Sequence, residues 1–142
     1  MKTKHNIFVK FFWLAHLKLY LWSKGRIGGL IRGLPVLLLT TKGKKTGLLR
    51  TKALMYLPSG KDFVVIASNL GKENHPAWWI NLLAEPNASV QIADAQYIVH
   101  AREAEGDERE KLWQAIAERT SDYDQYRSWT SRRIPLVVLE RK

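Results

Sequence analysis

The chain has no cysteine among its 142 residues. That one absence excludes disulfide scaffolds, thiolate metal sites, iron–sulfur clusters and cysteine nucleophiles. Acid is missing from the whole first part: residues 1–61 hold 13 lysines and arginines, and Asp62 is the first carboxylate. Histidine is sparse, and His5, His16, His75 and His100 are too scattered to supply HExxH or paired-ligand spacing, so no metal site is expected. GxSxG, the Walker loop and GxGxxG are all absent, which removes the hydrolase, P-loop and dinucleotide-binding readings. There is no internal repeat and no low-complexity tract.

What is present is enough apolar material for one core. Hydrophobic residues make up 46% of the chain, which rules out wholesale disorder, and the length suits a single domain. The net charge is +10, yet residues 62–142 carry 10 basic and 13 acidic side chains, so the whole excess lies in the first part. Such asymmetry implies an anionic partner: a membrane surface, a phosphate-bearing ligand or nucleic acid. Nucleic acid is disfavoured, because no RNP, KH or zinc pattern accompanies the basic residues.

The leader divides from the body. Ile7 to Trp22 (IFVKFFWLAHLKLYLW) is apolar and aromatic but interrupted by Lys10, His16 and Lys18. As a helix its 16 residues reach about 24 Å, short of a hydrocarbon core of about 30 Å. Lys18 also breaks any signal-peptide core, so a cytoplasmic protein is expected. Two readings stay open. Residues 1–24 lie at the inner face of a membrane with Trp13, Tyr20 and Trp22 as anchors, or the helix caps its own domain or a partner. Ser23 to Gly33, with four glycines, reads as linker or turn. The domain division expected is therefore 1–32 for the basic helix and linker and 33–142 for the body.

The body reads as six strands and a few short helices. Strands are expected at 35–41, 48–57, 63–68, 90–94, 96–103 and 134–140. Ala77 to Ala84 is a short helix stopped by Pro86, and Gly106 to Arg119 an amphipathic helix with Asp107 as N-cap. Residues 121–130 form a polar-aromatic segment. Hairpin-length joins argue for an antiparallel α+β barrel rather than alternating βαβ units.

Chemistry concentrates in TTKGKKTGLLRTKAL (40–54). A strand enters a turn carrying Lys42, Lys44 and Lys45 with Gly43 and Gly47, and Arg50 and Lys52 follow on one strand face. Glycine-turn amides with added cations suit a phosphate or polycarboxylate; an ordinary basic hairpin turn fits the same residues. The acids of 103–110 gather at a helix start, where they complement its dipole. Any reaction is thus expected to be carried by a bound cofactor.

Three blocks then resemble a known family, the deazaflavin-dependent nitroreductases within the flavin and deazaflavin oxidoreductases of split β-barrel fold. They are LLLTTKGKKTGLLRT (37–51), VVIASNLGKENHPAWWINLLAEPNASVQI (64–92) and DYDQYRSWTSRRIPLVVLE (122–140). The resemblance implies coenzyme F420 as cofactor, with Lys44, Lys45, Thr46 and Arg50 around its phosphate and acidic tail. It places Ala67, Ser68 and Asn69 at the ring and ribityl region, and Ala77, Trp78, Trp79 and Asn81 along the pocket from a helix start. Tyr123 and Tyr126 fall where the family sets aromatics over the acceptor, and Tyr126, Tyr123 or Ser68 would supply the proton that accompanies hydride. The implied activity is hydride transfer from reduced F420 to a small planar acceptor, a quinone or a nitroaromatic. An FMN enzyme on the same barrel, or a non-catalytic binder of flavin, haem or lipid, are the alternatives, and a homodimer is left open.

The residues also carry plainer readings. Adjacent helical positions differ by about 100°, so Trp78 and Trp79 cannot both face one pocket, and Trp78 is favoured. Tyr123 and Tyr126 could be packing aromatics on one helical face, Asn81 could satisfy local backbone, and His75 reads as a loop residue. Leu48 and Leu49 replace a polar residue and a proline of the family pattern, Leu70 stands where glycine is common, and Met55 where an aromatic sits.

Overall fold

The computed structural model describes residues 30–31, 34–120 and 122–142. The expected helix of 7–22 and its membrane anchors lie outside them.

Seven strands form: β1 (Leu30–Ile31), β2 (Leu34–Lys42), β3 (Leu49–Ser59), β4 (Asp62–Ile66), β5 (Asn87–Ile92), β6 (Ala95–Glu103) and β7 (Leu136–Arg141). Three helices join them: α1 (Ala77–Ala84), α2 (Gly106–Ala117) and α3 (Asp122–Ser128). The sheet runs β2–β3–β4–β7–β6–β5 and closes on itself through β5–β2. Leu38 marks the closure, facing Ala53 of β3 on one side and Gln91 of β5 on the other. Every pairing is antiparallel. The six-stranded α+β barrel expected from the sequence is the fold, and closure leaves those six strands no free edge to template aggregation.

The uninterrupted apolar runs have a simple cause. Alternate residues of β4 and β7 point to two different cores. Phe63, Val65, Val137 and Leu139 fill the barrel with Leu37, Leu39, Val90 and Val99. Val64, Ile66, Leu136 and Val138 pack outward under Ile116 of α2 and Tyr123 of α3. Both faces are dry, so neither shows polar alternation.

Beyond shifts of a residue or two at strand and helix ends, four features differ from the sequence reading. β5 starts at Asn87, immediately after Pro86, because Asn87, Ala88 and Ser89 pair with His100, Val99 and Ile98; tertiary pairing overrides their weak strand propensity. The strand read as 63–68 ends at Ile66: Ala67 N–H still donates across to Pro135 O at 2.9 Å, but Pro135 has no N–H to return the bond and the ladder stops. Leu30 and Ile31, read as linker, pair with Pro35 and Leu34. Asp107 is not an N-cap: Glu105 holds that position without a side-chain bond, and Asp107 lies in the first turn beside Glu108. Glu108 reaches back to β6 instead, gripping Arg102 with both carboxylate oxygens at 2.6 and 2.9 Å. The polar-aromatic segment 121–130 supplies α3.

Candidate functional site

One cavity of about 700 Å³ opens between the 43–46 turn, β3, the segment after β4, the start of α1 and Tyr123. Its walls divide by chemistry. Lys44, Lys45, Arg50, Lys52 and Lys72 line it, and among the described residues no carboxylate does. Leu54, Met55, Ile66, Trp78 and Tyr123 supply an apolar and aromatic wall.

The cationic turn is held by its own backbone. Gly43 N–H donates to Leu48 O at 2.7 Å, and Gly47 N–H to Gly43 O at 2.8 Å. A Cβ at Gly43 would come within 2.9 Å of Thr46 Oγ1 and 3.1 Å of Leu48 O, so only glycine fits without a shift. Gly47 takes φ +72°, a left-handed conformation costly for other residues. A long-range tie fixes the turn against α1: Asn81 Oδ1 accepts the Lys44 N–H at 3.0 Å, and Asn81 Nδ2 donates to Thr41 Oγ1 at 3.1 Å. Asn81 therefore uses both ends of its carboxamide to join strand, turn and helix.

The opposite wall is an unusual stretch of backbone. Asn69, Leu70 and Gly71 follow one another at φ 49°, 58° and 77°. Leu70 thus occupies the conformation that glycine would adopt freely, and its side chain lines the cavity. A non-glycine residue held there costs about 1–3 kcal/mol unless its surroundings enforce it. Arg132 supplies the enforcement. Its Nε donates to Lys72 O at 3.0 Å, Nη1 to Ala67 O at 3.1 Å and Nη2 to Ser68 O at 2.7 Å. Nη1 also lies 3.1 Å from His75 Nδ1. Burial, and then the charge of Arg132, hold the His75 imidazole below its ordinary pKa, with Glu103 opposing. The ring is therefore neutral and accepts that bond. Ser68 is 6% exposed, and its hydroxyl has no partner among the described residues.

Most of the expected residues converge. Lys44, Lys45, Thr46, Arg50, Ser68, Asn69, Ala77, Trp78, Asn81 and Tyr123 all line this cavity. Ala67 and Trp79 do not: both belong to the barrel core, Ala67 because it continues the inward side of β4 after Phe63 and Val65, Trp79 because its neighbour Trp78 takes the cavity side of α1. The side chain of Tyr126 lies outside the described residues. Lys72 and Arg132 escaped the sequence reading. Lys52 carried a signal, its two-residue spacing from Arg50; Arg132 carried none, since its partners lie 57 to 65 residues away.

The chain and its fold are similar to several known proteins. A family model described as F420H(2)-dependent quinone reductase matches residues 13–141. An F420H(2)-dependent quinone reductase of Mycobacterium tuberculosis is 37% identical over 131 residues, 89% of this chain and 88% of that protein. A solved F420-H2 dependent reductase superposes with TM-score 0.68 at 37% identity, covering 75% of this chain and 94% of its own. A solved domain-swapped dimer gives TM-score 0.71 at 33% identity, over 90% of this chain and 97% of that one.

Proposed function

The chain belongs to the F420H(2)-dependent quinone reductase family, and from that premise we propose that the cavity beneath the 43–46 turn is where F420 and its acceptor meet. The protein is an oxidoreductase that transfers hydride from reduced F420 to a quinone. The family match selects F420 over FMN and catalysis over passive ligand storage.

The observation that carries the site is the division of the cavity wall, five cations and no carboxylate beside an apolar, aromatic face. F420 has the matching division: a tail of phosphate and glutamates, and a tricyclic ring. Lys44, Lys45 and Arg50 would hold the tail by charge-assisted hydrogen bonds, with Thr46 and the turn amides completing the cradle. Trp78 and Ile66 would flank the ring, and Ala77 and Asn69 close the sides. When bound, the coenzyme supplies the hydride. The chain's own task is to hold the acceptor within reach, exclude water and deliver one proton, so that quinone becomes hydroquinone. Ser68 suits the proton delivery, being buried at the wall with its hydroxyl uncommitted. Tyr123 lines the same wall, and Tyr126, one helical turn on, shares the role that the family resemblance implies.

The test is a fluorescence titration with F420. The double substitution Lys45→Ala, Arg50→Ala is expected to weaken binding by about 2 kcal/mol or more, the loss of two charge-assisted contacts. Unchanged affinity would remove the cradle from this turn. A nitroaromatic assayed beside the quinone tests the wider acceptor class. A dimer is the assembly that the domain-swapped relative supports.

Membrane contact is the second part of the proposal. No helix among the described residues is long and apolar enough to cross a membrane. The leader's aromatic residues and its freedom from acid support adsorption to an anionic bilayer instead. The full chain should sediment with vesicles containing anionic lipid and be released at high salt, whereas a chain lacking residues 1–32 should stay in the supernatant.

A further inference from the structure

Arg132 binds a single stretch of backbone from three sides. Four hydrogen bonds from its three guanidinium nitrogens reach the carbonyls of Ala67, Ser68 and Lys72 and the ring of His75. Between the gripped carbonyls lie Asn69, Leu70 and Gly71, all at positive φ. The residues it brackets, Ser68, Asn69, Leu70 and Lys72, are cavity wall. Local bonds close the stretch from within, Gly71 N–H to Ser68 O at 3.0 Å, Lys72 N–H to Asn69 O at 3.1 Å and Asn69 Nδ2 to Asn74 O at 2.9 Å, and Arg132 ties it to the rest of the fold. Ser131 adds a longer contact from its Oγ to Glu73 at 3.5 Å.

From this arrangement we infer that Arg132 is a positioning residue for the reaction: it sets where the Ser68 hydroxyl and the Leu70 side chain stand, and so the gap in which the acceptor lies. The inference rests on the cavity reading above. Three features support it. Only a planar fork with donors on several edges can serve carbonyls from residues 67, 68 and 72 together; a lysine ammonium cannot span them. The half-buried guanidinium of Arg132 gives its side-chain hydrogen bonds to backbone carbonyls and an imidazole ring, acceptors that the fold itself places around it. Finally, Arg132 stands nine residues beyond Tyr123, in the segment that runs from α3 back into β7. One C-terminal stretch thus provides both the aromatic wall and the hold on the wall facing it.

The anionic tail is proposed to bind at the other end of the cavity, on residues the clamp does not touch. Loss of Arg132 should therefore separate turnover from cofactor affinity. In Arg132→Ala the F420 dissociation constant should stay within about threefold of the wild type. The kcat for quinone should fall at least tenfold, and millimolar guanidinium should restore it at least threefold. Hydrogen exchange should quicken at the Gly71 and Lys72 amides. Arg132→Lys, which keeps the charge, should recover only a small part of kcat, and it serves as the test if the alanine variant does not fold. Unchanged kcat in either variant overturns the inference; so does a fall in cofactor affinity that accounts for the whole loss, or a lysine variant equal to wild type. Failure of the wild type to bind F420 would defeat the cavity reading instead, and the exchange rates at Gly71 and Lys72 would still judge whether Arg132 holds the wall.

Discussion

Asn81 shows how one side chain can stand between fold and chemistry. Its carboxamide is buried, accepts from the Lys44 amide and donates to Thr41. Read from sequence alone, it was equally well a residue satisfying its own helix. The structure shows that it acts instead 37 and 40 residues away, docking the cationic turn onto α1. Asn81→Ala removes both bonds and leaves two polar groups with poor access to water, so stability should fall by about 1–3 kcal/mol in a urea titration. F420 affinity should fall with it, because Lys44 and Lys45 lose their fixed place. A variant equally stable but weakened in binding, or destabilised with binding intact, would show that the turn and the helix are not coupled through this side chain. Leu70 makes the complementary point. It stands where the resembled family commonly has glycine, yet its backbone is held in the glycine conformation and it lines the cavity.

Among elements, legibility followed burial. The runs at 35–41, 63–66 and 136–139 could be read as strands because each is dry on both faces: one faces the barrel, and the other lies under helices for the last two and packs Val36 and Leu38 against Ala53 of β3 for the first. Helix α1 was legible from its prolines, Pro76 before it and Pro86 after it. The start of β5 was not, since Asn87, Ala88 and Ser89 become strand only through β6. The segment from Ala67 to His75 was the least legible, because its shape depends on a guanidinium far along the chain. That dependence has a pH signature. His75 must be neutral to accept from Arg132, and burial together with that neighbouring cation lowers its pKa from the ordinary 6.5. A histidine with a depressed folded-state pKa contributes stability that is fully present above the unfolded value. The contribution is lost as pH falls through the folded value, because the unfolded chain binds the proton first. Stability should therefore decline as pH falls below 6.5, before Glu85 and Glu108, both held below the ordinary carboxylate value, begin to protonate. His75→Gln, which still offers an acceptor, should flatten that slope in urea midpoints taken across the window. An unchanged slope would place the titrating group elsewhere.

At the scale of the whole molecule, charge is arranged for capture. Cations crowd the first 61 residues, and the barrel brings those of the 43–46 turn and of β3 to the mouth of one cavity, where Lys72 joins them. Among the described residues no carboxylate lines that cavity; Glu108 and Glu140, for instance, are paired with Arg102 on the outside of β6. A polyanionic coenzyme approaching this surface meets a field of one sign, which raises association rates by about 10- to 1,000-fold over an uncharged encounter. That field is screened over about 10 Å at 0.1 M salt and about 3 Å at 1 M. The contacts made once the tail is seated are shorter than either length and are screened far less. Raising salt should therefore act mainly on capture: in stopped-flow fluorescence the association rate for F420 should fall at least tenfold between about 0.02 and 0.5 M salt. The dissociation rate should change by much less. Lys52→Ala and Lys72→Ala, which remove mouth cations outside the proposed tail cradle, should lower the salt dependence of association while leaving dissociation nearly untouched. If salt instead accelerates dissociation and spares association, the cations act as local contacts alone, and the separation of charge between the two parts of the chain has no role in drawing the coenzyme in.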